Sequence, residues 1–303
     1  MTTIAARLQA VRGRIDAAAK AAGRSPTDIR LIAVSKTFPA TAIADAHAAG
    51  QIAFGENYLQ EALGKMAALS DLRLEWHIAC GQQDGERREG DVRPSAGVAS
   101  PQTGPLLRPL EWHVACGQQD GERREGDVRP SAGVASPQAG PLLRPLEWHF
   151  IGPVQSNKTR QIAERFQWVH GVDRLKIAER LSFSRPANLP PLQICIQVNV
   201  SGEDSKGGVR PDEVFALAKA VCVLPRLRLR GLMAIPEPSA DSGLQHSRFR
   251  LLRQLRDDIV SRGVALDTLS MGMSDDLEAA IAEGATLVRV GRAIFGERPS
   301  SSH

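Results

Sequence analysis

Aromatic residues make up only 4% of this 303-residue sequence, and there is a single tyrosine, Tyr58. No run of basic residues interleaved with aromatics occurs, so nothing in the chain calls for a nucleic-acid partner. The charge is nearly balanced, with 38 Lys+Arg against 34 Asp+Glu and a net +4. No apolar stretch approaches the roughly 20 residues that span a bilayer, which argues against a membrane role. The N-terminal "MTTIAARLQAVRGRIDAAAKAAGR" has no continuous apolar core of the kind a secretory signal needs. Cysteine is scarce too: Cys80, Cys116, Cys195 and Cys222, with no CxxC pair. That excludes a disulfide framework and a cysteine zinc site, and a reduced, cytoplasmic setting is expected.

What the chain does contain is a phrase written twice. Residues 75–110 and 111–146 repeat with a period of 36 and differ only at Ile78/Val114 and Thr103/Ala139. A period of this size can mark a solenoid. The body of each unit, "GQQDGERREGDVRPSAGVASPQTGP" in the first, is Gly, Pro, Gln, Ser and charge. It has no apolar periodicity with which to offset its ordering entropy, so 75–146 is expected to be a passive, disordered insertion. "LEWH" begins a third time at Leu146 and there continues as "FIGPVQSNKTR". This third copy is the one expected to enter the fold, because only it leads from an apolar strand into a loop and helix.

Outside the insertion, 1–74 and 147–303 read as one domain in which short apolar, β-branched runs alternate with helical patterns. "IRLIAVSKT", "IAFGEN", "EWHFIG" from Glu147, "WVHGVD", "LQICIQVNV", "LRLRGLMAI", "ALDTLSMG" and "TLVRVGRAIFG" are the predicted strands. Eight such units predict an α/β fold of the TIM-type (β/α)8 barrel class, with an open doubly wound sheet as the alternative. The repeats would enter before strand three, on the face where strands begin. In a barrel, chemistry gathers on the opposite face, where strands end.

Three strand ends stand out. Lys36 closes "LIAVSK", where partial burial would free its amine to attack an aldehyde; a solvated surface lysine is the plainer reading. Gly291 in "RVGRAIFG" lies between strand eight and a short helix, where backbone N–H groups can hold an anion, with Ser274 of "SMGMS" nearby. A tight turn that merely needs glycine is the alternative. Arg289 lies between Val288 and Val290, so it points away from them into the barrel, where it needs an acceptor: a pyridine nitrogen or an internal salt bridge. Lysine, anion cradle and arginine together point to pyridoxal 5′-phosphate (PLP).

The segments "LIAVSKTFP", "FGENYLQEA", "WHFIGPVQSNKTR", "QVNVSGEDSKGG", "GLMAIP" and "LSMGMSDDLEAAIAEGATLVRVGRAIFG" cover nearly all of the chain outside the repeats. Together they resemble the pyridoxal phosphate homeostasis protein family (YggS-like PLP-binding proteins), similar to the barrel half of alanine racemase. The resemblance implies that Lys36 forms a Schiff base with PLP and that Asn57 and His149 lie near the ring. It further implies Ser274, Gly291 and Arg292 around the phosphate, Arg289 at the pyridine nitrogen, and Met233 and Met273 along the pocket. Lys206, in "SGEDSKGG", is a candidate for secondary PLP handling, and His170 is expected to be a structural residue at a strand end.

Racemisation needs two acid–base groups on opposite faces of the substrate. After "RAIFGERPSSSH" no further domain follows in this sequence to supply one. The expectation is therefore a PLP carrier or buffer without catalytic turnover, monomeric, with apo PLP-dependent enzymes as recipients. A racemase-like PLP enzyme is the alternative, and a barrel enzyme that binds phosphate without PLP a further one.

Overall fold

The computed structural model describes residues 2–80, 145–203 and 207–297. Eight parallel strands form a closed barrel: β1 (Arg30–Val34), β2 (Ala53–Glu56), β3 (Glu147–Phe150), β4 (Trp168–Val172), β5 (Leu192–Gln197), β6 (Leu227–Met233), β7 (Thr268–Ser270) and β8 (Leu287–Val290). Closure is made by β1 against β8, with Arg30 opposite Leu287 and Ala33 opposite Val290. That pairing rules out the open sheet. The strands read as apolar runs because both of their faces are covered.

The helices are α1 (Ile4–Ala21), α2 (Ala40–Ala48), α3 (Leu59–Cys80), α4 (Thr159–Arg165), α5 (Leu175–Ser184), α6 (Val214–Val221), α7 (Ser242–Ser261), α8 (Leu277–Ala282) and the short α9 (Arg292–Phe295). In α1, Thr3 caps the first turn through its Oγ1, and Leu8, Val11, Ile15, Ala18 and Ala19 recur at helical spacing as its buried stripe. That stripe sets α1 among α2, α8 and α9, so the N-terminal helix fills the place in the outer ring beside β8. Arg14 fastens it to α8 through a two-pronged contact with Glu278.

Alternation along each strand divides the core in two. The outer shell, between strands and helices, is a continuous apolar cluster that includes Phe54, Trp148, Phe150, Phe166 and Leu181. The barrel interior holds a separate cluster of Ile32, Ala53, Trp168, Cys195, Met233 and Leu287. Other inward positions carry the buried polar groups His149, His170, Ser270 and Arg289.

Two sequence expectations change here. First, the expected disorder does not begin at residue 75: α3 continues to Cys80, through the first "LEWH", whereas the third copy forms β3 as expected. The body of the insertion, 81–144, lies outside the described residues. Second, His170 is not at a strand end. It lies within β4, fully buried, and faces the barrel interior.

Candidate functional site

The strand ends of β8, β1 and β2 adjoin, and they carry Gly291, Lys36 and Asn57. Strand β1 ends at Val34, so Lys36 stands two residues beyond it in a turn and is half-buried. This turn is held from behind. The Ser35 hydroxyl donates to Glu56 at 2.6 Å, and Lys65 Nζ of α3 donates to the Ser35 carbonyl at 2.7 Å and to the Glu56 carboxylate at 2.8 Å. On the other side of Lys36, the Thr37 N–H donates to Glu61, which also pairs with Lys65. Thr37 has a φ of 69°, in the left-handed region that a β-branched residue occupies only under constraint. Both neighbours of Lys36 are thus fixed by one ionic cluster, buried at Glu56 and Lys65 and partly exposed at Glu61. Burial raises the Glu56 carboxyl pKa, against the hydrogen bonds from Lys65 and Ser35 that lower it.

Asn57 sits on the turn after β2. Its Oδ1 is buried and has no hydrogen-bond partner among the described residues. A buried amide oxygen without a donor is costly, so it suits a site completed by a ligand. The turn packs against Gly152, where an added Cβ would lie 2.3 Å from the Asn57 carbonyl oxygen. Only glycine lets the ends of β2 and β3 come this close. Gly291 is similar: a Cβ there would lie 3.1 Å from the Val34 carbonyl oxygen, so the β8–α9 turn lies against the strand that leads to Lys36.

Arg289 is buried and points inward from β8. Its Nη1 donates to Ser270 Oγ at 2.7 Å and its Nη2 to the Ala234 carbonyl at 2.8 Å. The expected alternative of an internal salt bridge is not what the structure shows among the described residues, since both acceptors are neutral. Burial lowers the guanidinium pKa to about 10, so Arg289 stays cationic at neutral pH. Met233 is fully buried in the interior cluster and Met273 is half-buried after β7. Ser274 is half-buried, and its carbonyl accepts from Arg14 at 3.0 Å. Arg292 is exposed and pairs with Asp275 at 2.8 Å. Lys206 lies outside the described residues.

His149 lies one residue before the end of β3. It pairs with Gly55, two residues before Asn57, and lies fully buried in the interior, stacked on Trp168 at 5.4 Å. Its Nδ1 is 3.0 Å from His170 Nε2, and His170 Nδ1 is 2.8 Å from Ser270 Oγ. Sequence reasoning missed this role for His170 and missed Ser270 altogether. The available signal was parity: His170 shares inward parity with Trp168, and Ser270 ends a strand whose neighbour is Arg289. Among the described residues, no group of three or more His, Cys, Asp or Glu could hold a metal ion.

The family model for the alanine racemase N-terminal domain matches residues 6–299. The chain is 50% identical over 298 residues to the pyridoxal phosphate homeostasis protein of Pseudomonas aeruginosa, covering 98% of this chain and 97% of that one. It is 42% identical to the protein of the same name from Escherichia coli, covering 99% of each. Among solved structures, PipY of Synechococcus elongatus with PLP bound superposes with a TM-score of 0.66 at 29% identity, covering 97% of this chain and 100% of that one. Alanine racemase from Corynebacterium glutamicum shares the fold, with a TM-score of 0.52 at 13% identity, covering 98% of this chain and 62% of that one. At this identity and coverage, the chain belongs to the pyridoxal phosphate homeostasis protein family, on the fold of the alanine racemase N-terminal domain.

Proposed function

We propose that this protein binds pyridoxal 5′-phosphate through a Schiff base at Lys36 and acts as a carrier or buffer in PLP homeostasis, without catalytic turnover. The observation that carries this reading is the clamped turn at Lys36. A solvated surface lysine needs no buried ionic cluster behind its backbone and no strained neighbour, whereas a nucleophilic amine gains from both by being held in place. The PLP bound by PipY and the name shared by the relatives support the same ligand. Bound here, PLP supplies an aldehyde for the lysine amine and an aromatic ring that draws electrons.

The residues present fit such a group. Asn57 offers a buried Oδ1 that lacks a donor, and Arg289 offers a buried cation whose acceptors are neutral. Arg289 would face the pyridine nitrogen and, as a permanent donor, would keep that nitrogen unprotonated. Gly291, Ser274 and Arg292 would surround the phosphate, with Gly291 keeping the backbone free of a Cβ where β8 approaches β1. Met233 and Met273 would form apolar wall, and His149 would act from beneath. An unprotonated pyridine ring is a weaker electron sink, which suits storage better than turnover. No helix among the described residues is long and apolar enough to cross a membrane. Residues 75–146 are read as a passive insertion, and the protein as a cytoplasmic monomer that passes PLP to apo enzymes.

Borohydride trapping followed by peptide mapping tests the reading. PLP fixed on Lys36 is the expected result. Label on another lysine, or stereochemical inversion of an amino acid that depends on Lys36, would overturn it.

A further inference from the structure

A line of polar side chains crosses the barrel interior from β8 to β1. Arg289 donates to Ser270 Oγ at 2.7 Å, Ser270 Oγ meets His170 Nδ1 at 2.8 Å, and His170 Nε2 meets His149 Nδ1 at 3.0 Å. His149 Nε2 then lies 3.0 Å from a Glu147 carboxylate oxygen, and Arg30 grips the same carboxylate at 2.9 and 2.8 Å. Strands β4 and β7 are not neighbours in the barrel, so the Ser270–His170 contact spans the interior itself. The line has Arg289 at one end and the floor of the barrel at the other, where strands begin.

The proton positions follow from the chemistry of the partners. His149 Nε2 lies 3.0 Å from Glu147, outside hydrogen-bond geometry, and a carboxylate that close favours the tautomer with the hydrogen on Nε2, since a lone pair there would be repelled by the negative charge. Burial holds His149 neutral, so its Nδ1 is an acceptor and His170 Nε2 must be the donor. Burial, with the Arg289 charge nearby, holds His170 neutral too, so its Nδ1 accepts from the Ser270 hydroxyl. That orientation leaves the Ser270 lone pairs for Arg289, which can only donate. Every link is determined by the one before it. Among the described residues, other charged or titratable groups beside this line are Cys195, which burial pushes up to about 12 and so keeps as a thiol, Asp276 near Arg289, and Arg230, which lies over the Trp168 ring at 4.9 Å.

We propose that Ser270, His170 and His149 form a proton-ordered relay that positions the Arg289 guanidinium for its ligand and ties it to the Arg30–Glu147 pair at the barrel floor. The positioning part rests on the PLP reading; the proton order does not. Ser270 is the pivot, because it alone turns a donor-only cation into a defined point on a neutral chain. His149 and His170 act through it and need not touch the ligand.

The test has two parts. In the ligand-free wild-type protein labelled with 15N-histidine, long-range 1H–15N correlation at neutral pH should find both imidazoles neutral and protonated at Nε2. An imidazolium, or His170 protonated at Nδ1, would overturn the relay. Glu147→Gln removes the anion that holds the first proton and should shift the His170 resonances; unchanged resonances would sever the floor from the relay. In the second part, Ser270→Ala should move the 15N shift of the pyridine nitrogen in labelled PLP and weaken PLP binding about tenfold. Ser270→Thr, which keeps the hydroxyl, should restore both. A wild-type pyridine shift and affinity in Ser270→Ala would sink the positioning role. If the wild-type protein cannot be trapped with PLP at Lys36, the functional reading falls, and the tautomers still decide the relay.

Discussion

Trp148 and His149 are neighbours in β3, and they face opposite environments. Trp148 turns outward, meets Phe54 at 6.2 Å between ring centroids and belongs to the continuous apolar shell under the helices. His149 turns inward, is equally buried, and contacts His170, Trp168 and Glu147. The shell is filled by dispersion and the hydrophobic effect, which need only the right volume. The interior adds to a small apolar cluster the polar groups that must each find a partner. Stability therefore concentrates on one side of each strand and chemistry on the other.

Substitutions on the two sides should separate these roles. The largest expected effect is Lys36→Ala, which should abolish covalent PLP trapping; a trapped adduct on the variant would show the lysine is misassigned. Next, Lys65→Met should cost about 3–5 kcal/mol in denaturant unfolding, since it strips a buried carboxylate of its cation. The loss should shrink as pH falls and Glu56 takes up a proton. A similar cost, about 3–5 kcal/mol, is expected for Phe166→Ala in the shell, with PLP still trapped on Lys36 below the melting transition. If that variant were stable but lost PLP, the division between shell and interior would be wrong.

A smaller effect concerns pH. His149 and His170 have lowered pKa values in the folded protein, so the unfolded chain binds protons that the folded one refuses. Stability is then fully present above the unfolded histidine pKa of 6.5 and declines as pH falls toward the folded values. Each histidine that stays neutral contributes roughly 1.4 kcal/mol per pH unit in that window. Glu147 enters only lower: burial raises its pKa, but the two-pronged contact and charge of Arg30, with the His149 N–H beside it, outweigh that and hold it at about 2. Urea titrations from neutral to mildly acidic pH should show this slope. A flat stability over that range would mean that the histidines are not held neutral. The smallest effect is expected from deleting 75–146, which should leave PLP trapping intact and shift stability little, because closure entropy grows only logarithmically with loop length.

Much of the barrel was legible from local pattern. The eight strands appear as apolar runs because parallel strands are buried on both faces, and each helix announces itself by a stripe such as Leu8, Val11 and Ile15. Lys36 and Gly291 could be picked out because strand ends are where a barrel places its chemistry, Arg289 by its inward parity between two valines, and Asn57 through the family resemblance. The clamp was not legible. Lys65 sits in an ordinary helical stretch, and only the packing of α3 against β2 brings it to Ser35 and Glu56. His170 was assigned to the wrong position for the same reason, since its partner Ser270 lies 100 residues away and across the barrel.

"LEWH" shows where the boundary falls. The sequence by itself determined that eight β-α units exist and that the third copy, followed by "FIGPVQSNKTR", could continue as strand, loop and helix. It did not determine the conformation of the four letters themselves. At 74–77 they continue the helix α3, and at 146–149 they lead into and form β3. The intrinsic preferences of Leu, Glu, Trp and His differ by tenths of a kilocalorie between the two states. Burial decides, because Trp148 fills the shell, Glu147 meets Arg30, and His149 completes a line of hydrogen bonds that exists only once the barrel has closed.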